Sequence, residues 1–300
     1  LRHSSPRNIV DEIKRAVDKH PHISTVVFHD DSFLALPYKV LQEFCELWKK
    51  EVRIPFAVFG VIPNYVSEDK IALLLDAGMN RVRMGIQSGS QAILDFYQRP
   101  TPITRIHEAM RILNKYQKYM IPPAFDIILE NPVETPEDTR ATLDLLYEMP
   151  RPFTLNIFGL RLIPNTQLEK DIQAKGIDLL SIKTSYHSAY QATLGTVLVF
   201  ALVVWRMPRR IYSVLRNKVL PTPSEQPHYP LSLAMVRAVY LVQRAFDHLR
   251  FMDFSVLPGK VGYCLWKVGV INLWQRFILT RYQLPTDKNS TLNYVKVRPY

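Results

Sequence analysis

Along the first 180 residues, short apolar runs alternate with amphipathic stretches. Ile9, Val10, Ile13 and Val17 recur at helical spacing behind Ser5, a good N-cap, and Pro6, which suits the first helical position. Thr25-Val26-Val27-Phe28 is a β-branched and aromatic run that predicts a buried strand ending in His29-Asp30-Asp31. A helix over 40–50 and a strand over 54–59 follow. Ser67-Glu68-Asp69 opens a helix with Ile71, Leu74 and Leu75 on one face and Gly78 as its stop. The strand predicted over 81–87 runs into Ser88-Gly89-Ser90, and helical stretches cover 93–97 and 105–119. A strand over 124–129 leads to Thr135-Pro136-Glu137-Asp138, which combines an N-cap, a proline and first-turn carboxylates. That helix carries Leu143, Leu146 and Tyr147 inward and stops before Pro150. A strand over 154–160 and a helix over 167–175 complete the pattern.

Five strands, each followed by a helix at intervals of roughly 25–30 residues, imply parallel strands and right-handed crossovers. In such folds the chemistry sits at the C-terminal ends of the strands. Polar residues cluster at those ends: Asp30 and Asp31, Gln87 and Ser88, Glu130 and Asn131, and Arg161. Strands generally run into polar loops, but four clusters in register point to a site.

Charge divides the chain in two. Residues 1–180 hold 22 Lys+Arg and 23 Asp+Glu, whereas residues 181–300 hold 16 and 4. The net charge of +11 on 300 residues therefore belongs to the second region, and it points to an anionic partner there. The expected domains are 1–180 and a basic, mainly helical 181–300.

Within that second region, residues 184–205 are uncharged, with a strongly apolar core over 194–205 followed by Arg206, Arg209 and Arg210. A spanning helix needs ~20 apolar residues, so a buried core helix fits better than an interfacial or spanning one. Residues 222–230 read as a linker, and 231–251 as a helix with Met235, Val239, Val242 and Phe246 on one side. Further on, Trp266, Trp274, Phe277 and Tyr282 interleave with Lys260, Lys267, Arg276 and Arg281. Such a mixture suits an anionic membrane surface, nucleic acid or an acidic substrate, or simply a solvated basic face. The lack of an RNA-binding motif or glycine-rich phosphate loop disfavours nucleic acid.

The 2 cysteines exclude a disulfide scaffold and any zinc or iron–sulfur site made only of cysteines from this chain. No signal peptide is visible, so a cytoplasmic location is expected, with the basic region as the part that would meet a membrane.

Three segments at the strand ends resemble the radical S-adenosylmethionine (SAM) superfamily. Arg81-Val82-Arg83-Met84-Gly85-Ile86-Gln87-Ser88, with Arg99 downstream, looks like that family's fourth-strand segment. Asp126-Ile127-Ile128-Leu129-Glu130-Asn131-Pro132-Val133-Glu134-Thr135 is similar to the fifth-strand segment, and Leu160-Arg161-Leu162-Ile163-Pro164-Asn165-Thr166 to the sixth. His29-Asp30-Asp31-Ser32-Phe33 resembles the second-strand segment of members linked to a cobalamin-binding domain. The Asp126…Asn131-Pro132 variant favours the same branch. The resemblance covers residues 4–180.

It implies an α/β fold: a partial (β/α)6 TIM-like barrel, here missing its first strand, followed by the helical C-terminal domain. It also implies SAM, a [4Fe–4S] cluster with its electron donor, and cobalamin from an upstream domain. The implied chemistry is reductive SAM cleavage to a 5′-deoxyadenosyl radical, used for reactions such as methyl transfer, on a substrate the sequence does not identify. By this resemblance Asp30 and Asp31 line the SAM site, Gln87 and Ser88 reach its ribose or methionyl part, and Arg99 pairs with its carboxylate. Asp126, Glu130 and the backbone near Leu160 flank ribose and adenine. Each has a structural alternative, Arg99 as a solvated helix residue and Asp126 as an internal hydrogen-bonding group. No residue is singled out as a general base or nucleophile, and no metal ligand is assigned to this chain.

Two departures stand out. The family's Cys-x3-Cys-x2-Cys loop is lacking, and Cys45 and Cys264 read as ordinary thiols. The helix at His3–Ile13 resembles the one that directly follows that loop, so the cluster ligands are expected upstream of residue 1, and the chain alone is expected to be inactive. Glu130 stands where the family commonly has glycine. Two other readings compete: a degenerate barrel serving only as a membrane- or nucleic-acid-binding module, and an iron-free α/β-barrel enzyme using Asp30, Asp31 and Glu130.

Overall fold

The computed structural model describes residues 4–23, 25–30, 32–99, 101–129, 131–160, 162–176, 191–220, 227–250, 259–271 and 273. Asp31, Glu130 and Arg161, the expected boundary at 180/181 and the aromatic residues beyond 273 lie outside these described residues.

Five strands, β1 (Val26–His29), β2 (Phe56–Val61), β3 (Met79–Gln87), β4 (Ala124–Leu129) and β5 (Thr154–Gly159), form one sheet in sequence order. The paired strands β1–β2, β2–β3 and β4–β5 run parallel. The helices are α1 (Pro6–Lys19), α2 (Tyr38–Glu51), α3 (Glu68–Asp76), α4 (Gln91–Phe96), α5 (Ile103–Lys115), α6 (Pro136–Glu148) and α7 (Gln167–Ala174). Beyond them come α8 (Leu194–Val204), α9 (Arg209–Asn217), α10 (Pro230–Arg250) and α11 (Gly259–Lys267). The five expected strands and their following helices are therefore present. β2 begins at Phe56 rather than residue 54, because Pro55 has no N–H for the ladder.

The chain forms two compact units: residues 1–84, 112–123 and 244–300 in the first, and 85–111 and 124–243 in the second. In the first unit, Ser5 caps α1 by accepting from the Asn8 N–H at 3.3 Å. α1 packs on α2, and α2 on α3. In-register pairing sends alternate residues to opposite faces of the sheet. One face is dry: Phe28 and Phe56 meet Phe33, Phe44 and Trp48, with ring centroids 5.0–5.8 Å apart. The Trp48 indole N–H still finds a partner, the Ile54 carbonyl at 2.9 Å. The other face carries His29, Phe59, Arg81 and Arg83. The guanidiniums of Arg81 and Arg83 lie 5.0 and 5.6 Å from the Phe59 ring centroid.

In the second unit, β4 and β5 pair from Ala124↔Thr154 to Leu129↔Gly159. α6 opens with a capping box between Thr135 and Asp138. α8, apolar all round, packs on α6 and β5 and buries Leu198, Val199, Phe200, Leu202 and Val203. The stretch that admitted three readings is thus a core helix, and among the described residues no helix is long and apolar enough to cross a membrane. α9, which the pattern did not predict, is held by its polar side. Arg216 Nε and Tyr212 Oη each donate to Asp144 at 2.7 Å, and Tyr212 stacks on Tyr147 at 4.1 Å. α10 docks through Tyr240, whose hydroxyl donates to the Leu155 carbonyl at 2.9 Å.

Candidate functional site

The second unit holds five of the described candidate residues, and three of them, Gln87, Ser88 and Arg99, meet around the end of β3. Gln87 closes that strand with φ of 71°, in the left-handed region, which breaks the extended conformation and turns the chain. Its amide folds back over Gly85. A Cβ on Gly85 would lie 2.6 Å from Gln87 Nε2 and 3.7 Å from Arg99 Nη1. The glycine therefore makes room for two polar groups that converge from β3 and from the chain just after α4. Neither side chain forms a hydrogen bond or ion pair among the described residues, and Arg99 is exposed. An amide donor and an unpaired guanidinium side by side are suited to an incoming carboxylate or hydroxyl.

The loop behind them is fixed from within. Ser88 is fully buried; its hydroxyl lies 3.1 Å from Thr142 Oγ1 and accepts from the Ser90 N–H at 3.1 Å. The Gly89 N–H donates to Thr142 Oγ1 at 2.9 Å. Ser90 Oγ donates to Asp138 and accepts from the Ile93 N–H, which caps α4. Gly89 passes so close to α6 that a Cβ there would lie 2.6 Å from the Ala141 carbonyl oxygen. Partial burial opposes ionisation of Asp138, but hydrogen bonds from Ser90 and Thr135 win and hold its carboxyl below the usual range. Ser88, offered above as a ligand contact, thus spends its hydrogen bonds inside the protein.

The loop after β4 brings a second polar group. Asn131, 1% exposed, donates to Tyr97 Oη at 2.6 Å and accepts from the Val133 N–H at 3.0 Å. Burial pushes the Tyr97 phenol up, with Glu134 adding to it. Burial, reinforced by Asp138, pushes the Glu134 carboxyl up to about 8. Glu134 therefore holds its proton at neutral pH. Asn131 was among the polar residues marked at the strand ends; Tyr97, Glu134 and Thr142 were not singled out from sequence. The Ser-Gly-Ser turn and the Glu134-Thr135 step carry no periodic signal that distinguishes them from ordinary loop residues.

The remaining candidates are placed as follows. Asp126, half-buried on β4, accepts from Asn156 Nδ2 at 2.8 Å. Leu160, 6% exposed, packs with Ile172, Phe96, Tyr97 and Val133 beyond the end of β5. Asp30 belongs to the first unit, where its carboxylate accepts from the Ser32 N–H at 2.9 Å. Asp31 and Glu130 lie outside the described residues.

The cysteines do not form a cluster site. Cys45 is buried on α2, and burial pushes its thiol up to about 12; Cys264 is exposed on α11. No group of three His, Cys, Asp or Glu able to hold a metal occurs among the described residues.

Residues 1–146 match the family model of the Radical SAM superfamily. No curated protein sequence matches the chain. Among solved structures, the apo, SeMet-labeled cobalamin-dependent S-adenosylmethionine radical enzyme OxsB is 14% identical, over 92% of this chain and 46% of that one, with a TM-score of 0.52. The radical S-adenosylmethionine methyltransferase TsrM from Kitasatospora setae is 19% identical over 57% of this chain and 31% of that one, with a TM-score of 0.46. The coproporphyrinogen III oxidase HemN from Escherichia coli is 15% identical over 80% and 46%, with a TM-score of 0.45. The chain spans less than half the length of each of these structures. The likeness to OxsB shows the fold.

Proposed function

We infer that this chain, whose residues 1–146 belong to the radical SAM superfamily, supplies the SAM-binding side of a radical SAM enzyme of the cobalamin-linked branch. The observation that carries this reading is the convergence of the Gln87 amide and the Arg99 guanidinium over Gly85, at the C-terminal end of β3 inside the matched domain. SAM, when bound, supplies the radical chemistry of the superfamily. The chain's own residues bind and orient it. Arg99 takes the methionyl carboxylate with its planar fork of donors, and Gln87 donates to the ribose or methionyl part. The Ser88–Thr142–Ser90–Asp138 network holds both groups in place from behind, and Leu160 with its apolar neighbours keeps water from that side. Asp126 is proposed at the ribose, with Asn156 fixing its carboxylate.

The [4Fe–4S] cluster does not fit this chain's cysteines. Two thiols, one of them buried on a helix with its proton firmly held, do not make a three-thiolate set. No step is assigned to either. No residue here is assigned to cobalamin, whose proposal rests on the His29-Asp30-Asp31-Ser32-Phe33 segment and the Asp126…Asn131-Pro132 variant. Methyl transfer is the reaction type proposed with it.

Equilibrium binding of SAM to the 300-residue chain tests the reading. Arg99→Ala and Gln87→Ala should each weaken binding roughly tenfold or more, the worth of a charge-assisted or well-placed hydrogen bond. Gly85→Ala should do the same by displacing the Gln87 amide. Binding that is unchanged in all three, with circular dichroism unaltered, would remove this site from consideration.

A further inference from the structure

α10 presents two unlike faces. Leu233 and Tyr240 are buried and hold the helix against its own unit, Tyr240 lying 5.4 Å from the Phe200 ring. On the opposite side, Leu231, Met235, Val239 and Val242 are 80%, 72%, 56% and 71% exposed. At 3.6 residues per turn these four fall within about a quarter of the helix circumference. They form one continuous apolar stripe, lined by Ala234 and Ala238 and free of charge. Scattered exposed apolar residues need no explanation, but an ordered stripe of this kind does.

The charge of the neighbouring stretch of chain argues for what covers it. Between residues 193 and 243 the chain has six basic residues and a single acidic one, Glu225. Arg206, Arg209, Arg210 and Lys218 are exposed and make no ion pair among the described residues. Trp205, 49% exposed at the end of α8, precedes Arg206, and Ile211 and Val214 on α9 are 45% and 58% exposed. Large apolar side chains beside uncompensated cations complement a surface that is apolar within and anionic at its rim. A second copy of the chain would set like charges against each other. Among the described residues no helix is long and apolar enough to cross a bilayer.

We propose that α10 and the Trp205–Lys218 segment form an interfacial anchor, with the Leu231–Met235–Val239–Val242 stripe entering the headgroup boundary of an anionic lipid membrane and the arginines meeting its phosphates. The anchor is independent of the SAM-site reading, since it uses none of those residues.

Flotation of the full chain with lipid vesicles tests it. Vesicles of phosphatidylcholine and phosphatidylglycerol, at about three to one, should carry the chain, and pure phosphatidylcholine should carry it at least tenfold less. Met235→Glu with Val242→Glu should reduce flotation on the anionic vesicles at least tenfold. Arg209→Glu with Arg210→Glu should also reduce it at least tenfold and flatten its salt dependence. Both pairs are exposed, so circular dichroism should match the parent. Failure of the chain to float with anionic vesicles overturns the proposal, as does flotation indifferent to either double substitution. Light scattering adds a third arm: a dimer that dissociates in the Met235→Glu/Val242→Glu variant would make the stripe a contact between copies and likewise overturn it.

Discussion

The sheet is secured in two physically different ways. In the first unit, Phe28 and Phe56 lie under Phe33, Phe44 and Trp48 in a layer with one internal polar link, from the Trp48 indole to the Ile54 carbonyl. In the second, the strand-end loops are tied by a chain of short polar links from Ser88 to Thr142, Ser90, Asp138 and Thr135. Apolar burial is strong and non-directional, so it stabilises without fixing a particular atom. Hydrogen bonds contribute less but fix direction, which is what placing Gln87 and Arg99 over Gly85 requires. Stability and positioning are thus housed in separate places, and substitutions can separate them.

The largest effect is expected in the aromatic layer. Trp48 is fully buried, and Trp48→Ala should cost about 4 kcal/mol, read from denaturant unfolding, through lost burial and the cavity left behind. SAM affinity of the molecules that remain folded should not change. A loss of affinity in that folded fraction would mean that the aromatic layer also positions the site.

Next comes Glu134, whose effect depends on pH. Its carboxyl titrates near 4.5 when unfolded and at about 8 when folded, because burial and then Asp138 oppose its charge. The folded state therefore holds the proton more tightly. This group's contribution is fully favourable below about pH 4.5, declines at about 1.4 kcal/mol per unit as pH rises, and levels off above about pH 8. Glu134→Gln should remove that decline. The difference in unfolding free energy between variant and parent, read from denaturant unfolding, should move in the variant's favour from pH 5 to pH 8, by of order 3 kcal/mol. Parallel curves would show that the carboxyl is already ionised.

What the sequence disclosed follows from the same division. Periodicity reports burial, so the strand-and-helix alternation of residues 6–174 was readable, as were the Ser5 and Thr135 caps, which have their own chemistry. α9 was not readable, because Arg209-Arg210-Ile211-Tyr212 is held by a polar contact to Asp144, sixty-eight residues away from Tyr212. Gln87 was marked by its place at a strand end and Arg99 by a resemblance alone, and their shared position over Gly85 appears only once the left-handed turn at Gln87 is formed. Ser88 and Thr142 show the limit most clearly. A serine at a strand end looks the same whether it faces a ligand or a neighbouring helix.

A smaller effect is expected at Gly89. Any Cβ there meets the Ala141 carbonyl and Thr142 Cα at 2.6 Å, both backbone atoms that cannot swing aside. Gly89→Ala should cost about 2 kcal/mol by forcing the loop off α6. It should also weaken SAM binding, because the displaced loop carries Gln87. Loss of stability with SAM affinity intact would show that the loop does not position the site.

The smallest effect is the most informative about that link. Thr142 Oγ1 accepts from the Gly89 N–H, donates to the Asp138 carbonyl at 3.2 Å and lies 3.1 Å from Ser88 Oγ. Thr142→Val keeps the shape and removes the hydroxyl, leaving the Gly89 N–H and the Ser88 hydroxyl short of a partner. The expected cost is about 1 kcal/mol. Ser88→Ala alone removes the other end, including the acceptor for the Ser90 N–H. If the two hydroxyls act as one link, the double variant should lose about 1 kcal/mol less than the sum of the singles, because the second removal no longer orphans a partner. Additive costs would mean that Ser88 and Thr142 serve their backbone partners separately. The loop would then be fixed by Gly89 packing on α6 rather than by the polar chain that runs behind Gln87.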